Sequence, residues 1–179
     1  MAVDPQLEFK PINIAVMTVS DTRTADNDTS GDILVERIIA AGHQLVVRTI
    51  VRDDPGLIAN KLSGWIDDQS IDAVITTGGT GLTGRDVTPE ALERLRDSSG
   101  GRDIPGFGEL FRWLSFKTIG TSTIQSRACA IVTRGTYIFA LPGSSGAVMD
   151  GWDGILAEQL DNRNRPCNFV DLMPRLREV

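Results

Sequence analysis

The stretch Thr76-Thr77-Gly78-Gly79-Thr80-Gly81-Leu82-Thr83-Gly84-Arg85-Asp86-Val87-Thr88-Pro89-Glu90 carries the parts of a phosphate cradle. Glycines let the backbone approach an anion closely and adopt dihedrals that other residues avoid. Thr77 and Thr80 add hydroxyl donors. Arg85 can neutralise phosphate, and Asp86 can hold Mg²⁺. A P-loop would need Gly-Lys-Ser/Thr here and a dinucleotide fingerprint G-x-G-x-x-G, and the stretch has neither. Taken alone, Gly-Gly-Thr-Gly is explained as well by a plain tight turn. Two further stretches have suitable chemistry: Asp53-Asp54, and Pro142-Gly143-Ser144-Ser145-Gly146.

Totals narrow the chemistry. The 179 residues suit one domain, with residues 1–11 and 161–179 as terminal extensions. His43 is the only histidine, so Ser-His-Asp or Cys-His catalysis would have to use it. Its place after Ala41-Gly42 at a helix end suggests a surface or capping residue. Cys129 and Cys167 lack partners at metal-ligand spacing, and Cys129 reads as a reduced core thiol. A net charge of −6 argues against a broad nucleic-acid footprint. A small anion remains possible, because backbone N–H groups and a metal ion can hold phosphate without a basic surface. No run approaches the ~18 apolar residues of a membrane span. Residues 1–11 lack the basic and apolar regions of a signal peptide, so a cytoplasmic protein is expected.

Hydrophobic patterning supplies the elements that must position these residues. Residues 12–20 form a continuous β-branched run that reads as a buried strand. A polar loop, 21–30, leads to a helix with Ile33, Leu34, Ile38 and Ile39 at helical spacing. Strands follow at 45–51 and 73–77. Asp53-Asp54-Pro55 opens a helix with the stripe Ile58, Leu62, Trp65 and Ile66. Thr88-Pro89-Glu90 opens another by the same cap logic, ending near Asp97, and residues 98–101 break the pattern. Residues 109–117 carry Leu110, Phe111, Trp113, Leu114 and Phe116 and read as deep core in preference to a subunit contact. Strands at 128–133 and 137–141 form a hairpin, a helix spans about 147–160, and the tail reads as irregular. Alternating strands and helices predict a three-layer α/β sandwich, its sheet mostly parallel but mixed by the hairpin. Ligands in such folds bind outside the strands' carboxyl ends, where the three stretches should meet.

The whole segment Thr-Thr-Gly-Gly-Thr-Gly, a spacer, then Arg-Asp-Val-Thr-Pro-Glu-Ala resembles the signature of the molybdopterin-binding proteins of molybdenum cofactor biosynthesis, the MoaB/Mog family. Val19-Ser20-Asp21 and Leu141-Pro142-Gly143 match in the same order, and the resemblance covers residues 12–160. Pro105-Gly106-Phe107-Gly108-Glu109, Leu114-Ser115-Phe116, Ile119-Gly120-Thr121-Ser122-Thr123 and Arg165-Pro166-Cys167-Asn168-Phe169 resemble its protein B (MoaB) branch.

The resemblance implies a MogA-like fold and an adenylyltransferase. That enzyme joins the terminal phosphate of molybdopterin to AMP from Mg-ATP and releases pyrophosphate. Asp53 and Asp86 take the family's acidic positions and would support Mg²⁺ and catalysis. Thr76, Thr77, Gly78, Gly79, Thr80, Gly81, Arg85 and Thr88 would line the nucleotide and pterin-phosphate site. Ser126-Arg127 would face the pterin, and Pro142, Gly143 and Ser144 would form the opposing wall. Each has a plainer role: Asp53 capping a helix with Asp54, Asp86 bracing the loop against Arg85, Ser126 starting a strand. The resemblance also implies a homo-oligomer, trimer or hexamer, that could meet other enzymes of the pathway. One departure stands out: Ser145 replaces the second proline of the adenylyltransferases' Leu-Pro-Gly-x-Pro. It motivates an alternative, a non-catalytic molybdopterin-binding or scaffold protein. A nucleotide-dependent kinase is a third reading, weakened by the missing P-loop lysine.

Overall fold

A computed structural model describes residues 3–176 and 178. Six strands form one mixed sheet in the order β2-β1-β3-β6-β5-β4. β1 (Asn13–Val19), β2 (Gln44–Val51), β3 (Ala73–Thr77) and β6 (Thr136–Leu141) run parallel to their neighbours in that order. β5 (Cys129–Thr133) pairs antiparallel with β6, and the two-residue β4 (Arg102–Asp103) pairs antiparallel with β5. The turn between β5 and β6 is only Arg134-Gly135, both at positive φ, which suits the twist of a tight hairpin.

Two layers of helices cover the sheet. The face carrying Ile14, Val16, Ile75 and Phe139 packs against α1 (Thr29–Ala40), α4 (Pro105–Ile119) and α5 (Ser145–Gly151). The other face, carrying Met17, Val74 and Ile138, packs against α2 (Pro55–Asp67) and α3 (Thr88–Ser99). The Ile58, Leu62, Trp65 and Ile66 stripe is buried, as its spacing predicts. A π-helical turn, Trp152–Leu156, and the short α6 (Ala157–Gln159) extend α5, so the expected long helix is present but not regular. Among the described residues, no helix is long and apolar enough to cross a membrane.

Several local expectations are overturned by contacts distant in sequence. His43 is buried, with Nδ1 accepting from the Ile12 N–H at 3.3 Å and its ring against Phe9 and Trp152. Burial lowers its pKa. Ile39 is exposed although it follows the helical stripe of α1. Part of the tail is regular and packed: Asn168 caps α7 (Phe169–Leu172), and the Phe169 ring packs 4.7 Å from that of Tyr137. Most of the aromatic helix α4 is not deep core. Phe107 and Phe111 point inward, but Leu110, Trp113, Phe116 and Ile119 are exposed, Trp113 at 57%. Together these side chains form an exposed apolar patch on one helix.

Candidate functional site

The carboxyl ends of β1, β2, β3 and β6 lie together at one edge, and each continues into a stretch singled out above. β3 runs directly into Gly78 and Gly79, which have φ of +103° and +64°. A Cβ on Gly78 would lie 2.2 Å from the Val19 carbonyl oxygen, so β1 and this loop can be adjacent only because residue 78 is glycine. The Gly78 N–H donates to the Leu141 carbonyl at 3.0 Å, and the Thr77 hydroxyl donates to the Pro142 carbonyl at 3.0 Å. The wall 142–144 is thus tied to the glycine loop. Ser144 also caps α5, accepting from the Ala147 N–H.

The two acidic candidates flank the loop. Asp53 is not the cap of α2; Asp54 is, accepting from the Leu57 N–H at 2.8 Å. That leaves Asp53 to turn back over the sheet edge. Its Oδ2 accepts from the Asp21 N–H at 2.9 Å, and its Oδ1 lies 3.5 Å from where a Cβ on Gly79 would be. Burial, with the nearby charges of Asp21 and Asp86, holds its pKa above the ordinary aspartate value despite the Asp21 N–H and Arg85. Asp86 lies against Gly81. Its Oδ2 accepts from the Thr83 N–H at 2.9 Å and the Thr83 hydroxyl at 2.7 Å. Burial acts to raise its pKa, but bonds from Thr83 and Gly81 and the charge of Arg127 outweigh it and leave the pKa lowered. Among the described residues Asp53 Oδ1 accepts no hydrogen bond, whereas Asp86 is held by Thr83 and by the backbone of Gly81. Mg²⁺ is held through one or two carboxylates plus substrate phosphates, and these two fit that demand. Among the described residues, no group of three or more His, Cys, Asp and Glu could hold a metal on its own.

Other candidates are placed differently from their sequence reading. Thr88 does not cap α3; Val87 takes that position, and the Thr88 hydroxyl donates to the Gly78 carbonyl at 2.9 Å. Thr76 is wholly buried, and its hydroxyl has no hydrogen-bond partner among the described residues. Arg85 is exposed, and Asp86 is braced from Thr83 instead. Arg127 spreads its guanidinium over the loop's own carbonyls: Nε donates to Gly81 at 2.7 Å, Nη2 to Asp86 at 2.5 Å, and Nη1 pairs with Glu90. Ser126 lines a cavity of about 200 Å³ together with Thr80, Gly81, Phe111, Ser115 and Ser144.

Sequence reasoning missed a second, polar niche of about 80 Å³ across Gly78 and Gly143 from that cavity. It is lined by Thr18, Ser20, Arg23, Asp28, Ser30 and Thr77. A signal lay in the sequence: the polar loop 21–30 follows a buried parallel strand and so leaves the sheet at its carboxyl edge. Asp28 organises the niche. It is 1% exposed, caps α1 through the Gly31 N–H, accepts from the Thr18 hydroxyl at 2.6 Å and pairs with Arg48 at 2.8 Å. The Ser30 hydroxyl beside it donates to the Gly143 carbonyl at 2.6 Å. Burial pushes the Asp28 pKa up, but Arg48, Thr18 and Gly31 more than reverse that and leave it lowered. A lowered folded-state pKa stabilises above the unfolded value of about 3.9 and loses that stabilisation as pH falls through the folded value. Asp28→Asn is therefore expected to cost about 2–3 kcal/mol at pH 7. Urea titrations should show the gap to wild type closing below about pH 3.9; an equal gap at pH 7 and pH 3 would refute the assignment.

A glycine loop, two flanking carboxylates and an adjoining part-apolar cavity, all at the carboxyl edge of parallel strands, define an α/β protein with a small-ligand site at its topological switch region. Comparison with known proteins specifies which. A family model described as a probable molybdopterin binding domain matches residues 15–162. The chain is 49% identical over 162 residues to molybdenum cofactor biosynthesis protein B of Escherichia coli (strain K12), covering 90% of this chain and 93% of that one. A crystal structure of a molybdenum cofactor biosynthesis protein B superposes with a TM-score of 0.83 at 35% identity, covering 95% of this chain and 98% of the other. A MogA structure gives 0.76 at 26% identity, covering 92% and 99%. The chain belongs to the molybdopterin-binding family of molybdenum cofactor biosynthesis, and its relatives include both protein B and MogA. The fold class expected from the sequence is the one observed.

Proposed function

We propose that this protein binds molybdopterin and adenylylates it with Mg-ATP. The observation that carries the reading is the pair of carboxylates, Asp53 and Asp86, set against Gly79 and Gly81 of the glycine loop. In the reaction, an oxygen of the terminal phosphate of molybdopterin attacks the α-phosphorus of ATP. The new P–O bond forms as the bond to the β-phosphate bridging oxygen breaks, and pyrophosphate leaves with that electron pair. Mg²⁺ arriving with ATP neutralises charge on the phosphates. Such transfers need alignment and charge balance more than covalent chemistry from the protein. That suits a site of glycines, hydroxyls and carboxylates.

The part-apolar cavity beside Thr80 and Ser126 has the character to take the pterin, and the glycine loop the phosphate. Asp53 and Asp86 would hold the Mg²⁺, which would supply charge neutralisation, while the close packing of Gly143 on Gly78, where a Cβ would lie 3.2 Å from the Gly78 Cα, keeps the wall against the glycine loop. The exposed Leu110, Trp113 and Phe116 support a homo-oligomer as the working form.

Purified protein incubated with molybdopterin, ATP and Mg²⁺ is expected to yield adenylylated pterin and one equivalent of pyrophosphate. No product above the protein-free control rejects catalysis; pterin binding with no Mg-ATP heat in calorimetry would instead favour a pterin carrier. A one-chain mass on a sizing column would reject the assembly.

A further inference from the structure

We propose that Arg127 is a positioning residue: it sets Asp86 by spanning the glycine-rich loop, and it does not bind substrate. The inference builds on the adenylylation reading and concerns the same site.

The geometry points away from a substrate contact. Each of the three guanidinium nitrogens donates inside the protein, to Gly81, Asp86 and Glu90. The Arg127 N–H adds a fourth tie, to the Thr80 carbonyl at 2.9 Å. Residues 80 and 81 begin the loop and residue 86 ends it, so the side chain is a chord across an arc that is otherwise exposed at Leu82, Thr83, Gly84 and Arg85. The chord is anchored outside the arc by Glu90 in the first turn of α3. The Glu90 side chain is part-exposed, and its hydrogen bond from Arg127 is the chief cause of its lowered pKa. Holding the Asp86 carbonyl fixes that residue's backbone, and Thr83 then fixes its carboxylate. Arg127 also directly follows Ser126 of the cavity wall. One residue thus sets the spacing between that wall and the carboxylate. A planar guanidinium can reach three acceptors in different directions at once; a lysine ammonium on a flexible stem cannot hold the same set in register.

The test is Arg127→Lys, which keeps the charge, with Glu90→Gln as a milder companion. Two readouts are needed. Amide hydrogen exchange, measured on the protein without ligand, is expected to quicken at residues 81–86 in Arg127→Lys while β1, β3 and β6 stay protected. In steady-state adenylylation, kcat is expected to fall by about 100-fold, the effect of a misplacement near 1 Å, with the KM for Mg-ATP and the pterin Kd changed by less than about threefold. Glu90→Gln keeps the two carbonyl bonds and should lower kcat by no more than about fivefold. Guanidinium ion added to Arg127→Ala is expected to restore part of kcat. The inference is overturned by unchanged exchange in Arg127→Lys, by unchanged kcat, or by a loss appearing in pterin Kd or KM, which would make Arg127 a substrate ligand. If wild type itself fails to adenylylate, the functional reading falls, and the exchange measurement still decides whether Arg127 sets the loop.

Discussion

Asp86→Asn is expected to reduce adenylyl transfer by at least about 10²–10³-fold while leaving pterin affinity nearly unchanged. The substitution keeps the shape and one acceptor oxygen, so the bond from the Thr83 N–H can persist and the loop can keep its path. It removes the negative charge that this residue presents beside Gly81. A carboxylate that is kept ionised by Thr83, Gly81 and Arg127 is well suited to hold a cation at neutral pH. Single-turnover kinetics with saturating pterin isolates the transfer step from binding. A variant retaining more than a tenth of the wild-type rate would remove Asp86 from the chemistry. Loss of pterin binding in equal measure would show that the residue serves the fold of the loop instead.

Gly78→Ala should produce the largest loss of stability of any single change at this edge, about 3–5 kcal/mol. Two costs add. The φ of +103° is strained for any residue with a side chain, and the new methyl would lie 2.2 Å from the Val19 carbonyl oxygen. Neither neighbour can yield cheaply, because Val19 ends a buried strand and the Gly78 N–H is bonded to Leu141 across the other side. Gly84→Ala is the matched control. It lies in the same loop, a Cβ there meets nothing within 4 Å, and the change should stay within about 0.5 kcal/mol. Urea midpoints of both variants read the contrast; equal midpoints would mean that the close approach of β1 and the loop is not what fixes this glycine.

The parts of the molecule that were legible in the sequence were those fixed by nearest neighbours along the chain. The apolar runs 12–20 and 73–77, rich in β-branched residues and bounded by polar turns, read as buried strands, and β1 and β3 lie within them. Asp54-Pro55 gave the start of α2, since a cap acts over three residues. The same local grammar failed at Thr88, whose hydroxyl is spent on Gly78 across the loop, leaving Val87 at the cap position. His43 failed similarly, because what buries it is Phe9 and Trp152. The convergence of the three stretches followed from topology alone, for parallel strands put their carboxyl ends on one side. The role of Arg127 did not follow, because the partners of its side chain are 37 to 46 residues away. The outward face of α4 was misjudged for a different reason: apolar content says that a surface is to be covered, not whether the cover comes from the same chain.

That helix has two sides with different surroundings. Phe111, Ser115 and Ile119 line the cavity, while Leu110, Trp113 and Phe116 from the same turns look outward. A helix moves as a rod, so pressure applied to one side is felt at the other. Thermodynamic reciprocity then requires that filling the cavity and covering the outer side favour or oppose each other by one common factor. In the proposed homo-oligomer, ligand affinity would therefore depend on how crowded the solution is with copies of this chain.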